Sequence, residues 1–220
     1  MKFMGYRRND GKVGIRNYVL ILATSVCSNK LAEDISNAVE VSTHINNTFG
    51  CCQLGGDARL TLKTVVNTGI HPNVGAVLVV GLGCEGTEPL EVYNEIKKTG
   101  KPVEMITIQG EGGTLKAYAK GVSISRKFAQ ELSLEKKVEC DISELILGME
   151  CGGSDTTSGL ASNPTCGVAS DILVGMGGTS ILSETTEFIG AEHVVARRGI
   201  NEKVSQEILH LVRGCEERAM

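Results

Sequence analysis

Two stretches of this chain end in the same way, and together they limit what it can fold into. Residues 145–155 read LILGMECGGSD, an aliphatic run that stops at Glu150-Cys151 and breaks into a glycine turn. Residues 76–85 read AVLVVGLGCE, a second aliphatic run that closes on Cys84-Glu85. Short apolar runs bounded by glycines predict buried strands of the kind found in parallel sheets. In an open α/β sheet, ligands gather outside the carboxyl ends of the strands. Two strand ends that each carry a thiol and a carboxylate therefore predict one polar site along that edge.

The remaining chain alternates strand and helix. Strands are expected at 18–23, 41–45, 74–80, 103–108 and 179–182, besides the run from Leu145. Helices are expected at about 30–39, 57–68, after Thr87 with Pro89 in the first turn, after the 109–114 turn, from Asn163-Pro164, and over 187–197 and 202–218. Asn29 and Thr87 read as helix caps. The 5–17 segment reads as a polar, glycine-rich lead-in, and 135–139 as an exposed charged connection. This pattern predicts an α/β fold: a mostly parallel open sheet with helices on both faces, layered in the Rossmann-like or flavodoxin-like manner. A single domain over 1–220 is expected, with a hint of internal duplication about a linker near 133–142.

The chain has 220 residues and a formal charge of −4, with no long basic block, so nucleic acid is not an expected partner. No apolar run approaches the roughly 18 residues that would span a membrane, and the first residues lack the apolar core of a signal peptide. A cytoplasmic protein is expected. Eight cysteines are many for such a chain, and their spacing is not that of a small secreted disulfide framework. Metal or redox chemistry is the alternative. The sequence has no G-x-x-x-x-G-K-[ST] and no well-placed G-x-G-x-x-G, which argues against an NTPase or a nicotinamide enzyme.

Cys27, Cys51, Cys84 and Cys151 all follow expected strands or lie in loops at one edge. Thiolates there suit iron, zinc or an iron–sulfur cluster, although an isolated cysteine is equally an ordinary small buried side chain. Cys140, Cys166 and Cys215 read as structural, and Cys52 is open. Glu85, Glu111, Glu150, Asp155 and Glu184 are strand-end acids able to bind a divalent ion or move a proton. Solvated or helix-capping roles are their alternative. Gly112-Gly113-Thr114 and Gly152-Gly153-Ser154 are expected to leave backbone N–H groups free for a carboxylate or phosphate. His193 and His44 are candidate acid–base groups, with structural roles the default for each.

Several motifs resemble one family. Gly5-Tyr6-Arg7-Arg8-Asn9-Asp10-Gly11 with Gly14-Ile15-Arg16-Asn17 opens the set. Phe49-Gly50-Cys51-Cys52-Gln53, His71-Pro72-Asn73-Val74-Gly75, Gly81-Leu82-Gly83-Cys84-Glu85 and Glu150-Cys151-Gly152-Gly153-Ser154-Asp155 follow. Ser183-Glu184-Thr185 and Gly190-Ala191-Glu192-His193 complete it. Together they resemble the first domain of the large subunit of the altronate/galactarate dehydratase family. At position 52 the family often has Gly, so Cys51 is the matching cysteine. The family's small β-rich domain and its C-terminal domain are expected to lie outside this chain.

The resemblance implies a lyase that dehydrates a small-molecule sugar acid by β-elimination. It also implies Fe2+ or Mn2+, with an iron–sulfur cluster as a variant. Removal of sulfite from sulfolactate and a non-catalytic metal-binding interface domain are the alternatives. On this reading Cys51, Cys84 and Cys151 surround the metal, and His193, Glu85 and Asp155 are the catalytic candidates. The turns at Gly112, Gly113, Thr114 and at Gly152, Gly153, Ser154 hold the substrate carboxylate. The missing family domains or subunits and further copies of the chain, as a homo-oligomer, are the expected partners.

Overall fold

The computed structural model describes residues 1–153 and 155–220. Where one domain was expected, the described chain divides into two compact units, Lys2–Cys140 and Asp141–Met220, with Met1 grouped with the second. The division falls inside the segment read as a linker.

The first unit runs β1 (Lys2–Arg7), β2 (Val13–Gly14), β3 (Tyr18–Ala23), α1 (Asn29–Asn37), β4 (Ser42–Ile45), α2 (Gly55–Ile70), β5 (Val74–Gly81), α3 (Pro89–Lys97), β6 (Val103–Thr107), α4 (Thr114–Ser133) and β7 (Val138–Asp141). Its main sheet has the order β4-β3-β5-β6, with every pair parallel. The expected α/β architecture is what the chain adopts. Because successive side chains of a strand point to opposite faces, β3 and β5 feed two cores at once. Val19, Ile21, Ala76, Leu78 and Val80 pack with Leu31 and Ile35 of α1 and Phe128 of α4. Leu20, Leu22, Val77 and Val79 pack on the other face with Val65 of α2 and Val92 and Ile96 of α3. Burying one such side chain is worth about 1.5–3 kcal/mol, so the uninterrupted aliphatic runs are what place these two strands centrally.

A second sheet, of order β2-β1-β7, was not expected. Its strands are short and largely exposed, so neither alternation nor a continuous apolar run marks them. It joins the polar lead-in to the segment read as a charged connection.

The motif residues of the lead-in act at the amino edge of the main sheet. The Arg8 guanidinium donates to the Pro72 carbonyl (2.7 Å), the Asn17 amide oxygen (2.8 Å) and the Arg16 carbonyl (3.0 Å). Asn73 Oδ1 accepts the N–H groups of Ile15 (2.8 Å) and Arg16 (3.2 Å). Gly14 is required here, since a Cβ would lie 2.1 Å from the Pro72 oxygen.

At the same edge the Lys101 ammonium is buried and donates to Gly69 O (2.9 Å) and His71 O (2.8 Å), closing the carboxyl end of α2. Burial and the nearby Arg8 nevertheless press its pKa from 10.5 to about 7, with Lys12 adding to this and Asp10 opposing it.

The second unit comprises β8 (Ile146–Met149), α5 (Asn163–Gly175), β9 (Thr179–Leu182), α6 (Glu192–Ala196) and α7 (Glu202–Ala219). β8 and β9 form a two-stranded parallel sheet. The run from Leu145 does form a strand, but not the buried one expected: Ile146 is 62% exposed, and Ile181 and Leu182 of β9 are 52% and 54% exposed. An aliphatic run reports the capacity to be buried, and two strands with one covering helix are too few to bury both faces. The helix expected over 187–197 is also interrupted. A 3-10 turn at Thr185–Phe188 precedes Gly190, whose φ of 86° stops helical continuation, and α6 begins only at Glu192.

The lowered Lys101 pKa gives a testable pH dependence. The unfolded chain holds this proton up to about 10.4. From about 7 up to that value the unfolded state therefore binds more protons, and stability rises with pH; below about 7 the burial penalty is present in full. The urea midpoint is expected to rise between about pH 7 and pH 9, and Lys101→Met to flatten that rise. An equal slope in both proteins would contradict the assignment.

Candidate functional site

Glu85 is the residue around which the carboxyl edge of the main sheet is built. It follows β5, whose neighbour β3 is where the strand order changes direction, the place where open α/β sheets leave a crevice. The residue is 8% exposed. Its Oε1 accepts the Thr24 hydroxyl (2.7 Å) and the Leu82 N–H (2.8 Å), and its Oε2 accepts the N–H groups of Gly83 (2.6 Å) and Cys84 (2.9 Å). Burial by itself raises the pKa, but the donors, the Gly83 amide foremost among them, outweigh it and hold the group below the usual carboxylate range. Gly81 leaves room for this fold-back, since a Cβ there would sit 2.5 Å from Glu85 Oε1.

Two further loops join this centre. Asn47 donates to the Thr24 carbonyl (2.9 Å) and exchanges hydrogen bonds with Asn29, which lies within α1 and acts as a bridge instead of the expected cap. The Thr87 N–H donates to Gly50 O (2.9 Å) and the Gln109 N–H to Leu82 O (3.0 Å). Glu88, not Thr87, is the N-cap of α3. Gly50, at a φ of 96°, touches the Thr24 backbone so closely that a Cβ would lie 2.1 Å from its oxygen. Thr24, Asn47 and Gln109 were not among the expected site residues. Their partners are distant in sequence, and only the turn residues beside them gave a signal.

Cys27, Cys51, Cys52 and Cys84 are all exposed on these joined loops. Cys51 and Cys52 bring their sulfurs to 3.7 Å. Cys52 has a φ of 59°, the left-handed region that glycine enters freely and other residues enter at a cost of about 1–2 kcal/mol. Of the cysteines read as structural, Cys140 is buried, while Cys166 is exposed and Cys215 half-buried.

The Gly112–Gly113 turn differs from expectation. Both amides are occupied, donating to Gln109 O (3.1 Å) and Ile108 O (2.9 Å). The groups left to an anion at this point are the first-turn N–H groups of α4, which begins at Thr114.

In the second unit, Glu184 bridges the two strand ends. It sits at a φ of 62°, and its Oε2 accepts the Cys151 N–H at 2.7 Å. Strained non-glycine backbone of this kind concentrates at functional sites. Asp155 is engaged within its own turn. Its Oδ1 accepts the Thr157 hydroxyl and the Ser158 N–H (2.9 Å), which lower its pKa, the hydroxyl contributing most. Gly152 and Gly153 lie in the open turn before it, and Ser154 lies outside the described residues. His193 is exposed at the start of α6.

Among the described residues, no three His, Cys, Asp or Glu side chains converge to hold a metal ion. Cys51 and Cys84 belong to the first unit and Cys151 to the second. Nor, among the described residues, is any helix long and apolar enough to cross a membrane.

Two family models match the chain. Residues 5–133 match the second domain of D-galactarate dehydratase/altronate hydrolase, and residues 142–220 match the C-terminal domain of D-galactarate/altronate dehydratase. The second match falls on the second unit. The (2R)-sulfolactate sulfo-lyase subunit beta of Chromohalobacter salexigens is 40% identical over 93% of this chain and 52% of its own length. Altronate dehydratase of Bacillus subtilis is 34% identical over 96% of this chain and 44% of its own length. Galactarate dehydratase of Escherichia coli is 32% identical over 94% and 43%. The chain thus spans about half the length of the curated relatives it matches.

Two substitutions test this centre. Glu85→Gln retains one acceptor oxygen but sets an NH2 group against backbone donors, so a loss of about 1–3 kcal/mol in urea unfolding is expected. A variant as stable as the parent would remove Glu85 from its central place. Cys52→Gly relieves the left-handed backbone but adds unfolded-state freedom, so its melting temperature is expected to equal or exceed the parent's. A clear drop would show that the Cys52 side chain holds the loop.

Proposed function

Since the chain belongs to the D-galactarate dehydratase/altronate hydrolase family, we propose that it is part of a lyase acting on a small hydroxy acid by β-elimination. The observation that carries this reading is the family match over both compact units. The chemistry asks for a base to take the proton α to the substrate carboxylate and for stabilisation of the enolate that results. Loss of the β-hydroxyl as water then leaves an enol that becomes a 2-oxo acid. The joined loops at the carboxyl edge of the main sheet are the proposed floor of the site.

Glu85 is proposed as a positioning residue. An ionised carboxylate whose oxygens already accept four donors has little basicity left, but it orients the Gly83–Cys84 backbone at that edge. His193, exposed at the start of α6, is the proposed acid–base group. In the first unit the Thr114 end of α4 is a proposed anchor for a carboxylate; in the second, Gly152, Gly153 and Ser154 are proposed for that task, next to Asp155, whose Oδ1 accepts the Ser158 N–H.

A second reading changes only the leaving group. The higher identity to the sulfo-lyase subunit than to the dehydratases favours sulfite, and elimination from a 3-sulfo-2-hydroxy acid passes through the same type of enol.

The purified protein is to be offered altronate, galactarate and sulfolactate separately, with 2-oxo acid and sulfite measured in each. Oxo acid without sulfite from a sugar acid supports the dehydratase reading. Sulfite with oxo acid from sulfolactate supports the second. Neither product from any of the three contradicts a lyase role for this chain. Iron or manganese is measured in the same anaerobic preparation. Cys84→Ser and Cys151→Ser are measured beside it: a thiolate that holds the metal is expected to take stoichiometric iron with it when replaced. Unchanged metal in both variants would remove these two cysteines as ligands.

A further inference from the structure

We propose that Cys51 and Cys52 are a modification site, closing into a reversible disulfide by exchange with low-molecular-weight disulfides of the oxidised-glutathione type. Adjacent residues in a strand point to opposite faces, which keeps neighbouring thiols apart. Here the left-handed backbone of Cys52 turns its side chain to the same side as that of Cys51, and the sulfurs lie 3.7 Å apart. Both thiols are exposed, so a small disulfide can reach them. The flanks are held: Gly50 donates its N–H to Gln53 Oε1 (3.1 Å) and accepts the Thr87 N–H on its carbonyl (2.9 Å). The pair is thus presented by an anchored loop, which raises the effective concentration of one thiol at the other.

The exchange balances in two steps. One thiolate attacks a sulfur of the small disulfide, forming a mixed disulfide and expelling one small thiolate. The neighbouring thiolate attacks the protein sulfur of that mixed bond, closes the Cys51–Cys52 bond and expels the second. The small disulfide is reduced to two thiols that take the two protons given up by the cysteines. Consecutive Cα atoms are about 3.8 Å apart, shorter than an ordinary disulfide spans, so the ring is strained and readily reduced again. Closure withdraws the Cys51 thiol from the carboxyl edge of the sheet. The proposal stands independently of the lyase reading.

The test equilibrates the full chain with mixtures of reduced and oxidised glutathione, traps free thiols with iodoacetamide and examines the tryptic peptide 31–59, whose only cysteines are these two. The expected result is that both alkylation sites disappear together, with no bound glutathione, and both return with dithiothreitol. In Cys52→Gly, whose backbone suits glycine, Cys51 is expected to carry glutathione instead. Independent alkylation of both thiols at every ratio would overturn the proposal. So would a persistent glutathione adduct in the parent protein, or a bond from this peptide to Cys27 or Cys84.

Discussion

The first unit depends on one buried carboxylate. A charged group at the end of a central strand is tolerable only if its desolvation is compensated, and Glu85 obtains compensation from Thr24 after β3 and from three consecutive amides after β5. The same contacts fix the two loops relative to each other. Asn47, Gly50 and Gln109 then tie in the loops after β4 and β6. What would otherwise be four independent loops is a single hydrogen-bonded surface, and rigid presentation of this kind is what a site at the carboxyl edge of a parallel sheet requires.

The motifs that mark the chain divide between the two edges of that sheet. Arg8, Gly14, Asn17 and Asn73 sit at the amino edge, where they fasten the amino-terminal hairpin to the starts of β3 and β5. Gly50, Gly81 and Glu85 sit at the carboxyl edge. Motif membership is therefore not one kind of information: the first set maintains the fold and the second shapes the surface proposed for chemistry. The second unit repeats the carboxyl-edge theme in smaller form, with Glu184 reaching from the end of β9 to the Cys151 amide after β8.

Legibility in the sequence followed the strength of local patterning. β3 lies where its apolar run placed it and β5 extends its expected run by one residue, because burial rewards every residue of such a run, whereas β9 keeps its expected bounds while largely exposed. The β1–β2–β7 sheet escaped notice because exposed short strands carry no periodicity. The break before α6 was hidden in a single glycine, whose left-handed backbone is compatible with a helix end but does not announce one. At the site, Glu85 and the cysteines could be picked out by residue type at a strand end. Thr24, Asn47 and Gln109 could not, since hydroxyls and amides occur in every loop and their partners lie far along the chain.

By itself the sequence determined the α/β alternation, the existence of β3 and β5 as apolar strands, and the family, because each depends on local pattern or on motifs read in order. Only the tertiary structure decided which groups are engaged. It filled the oxygens of Glu85, occupied the amides of Gly112 and Gly113 within their own turn, left Ile146 exposed, and turned Cys52 toward Cys51. The physical reason is common to all four: hydrogen bonding, burial and sulfur proximity are properties of pairs brought together by folding, whereas a sequence shows each partner alone.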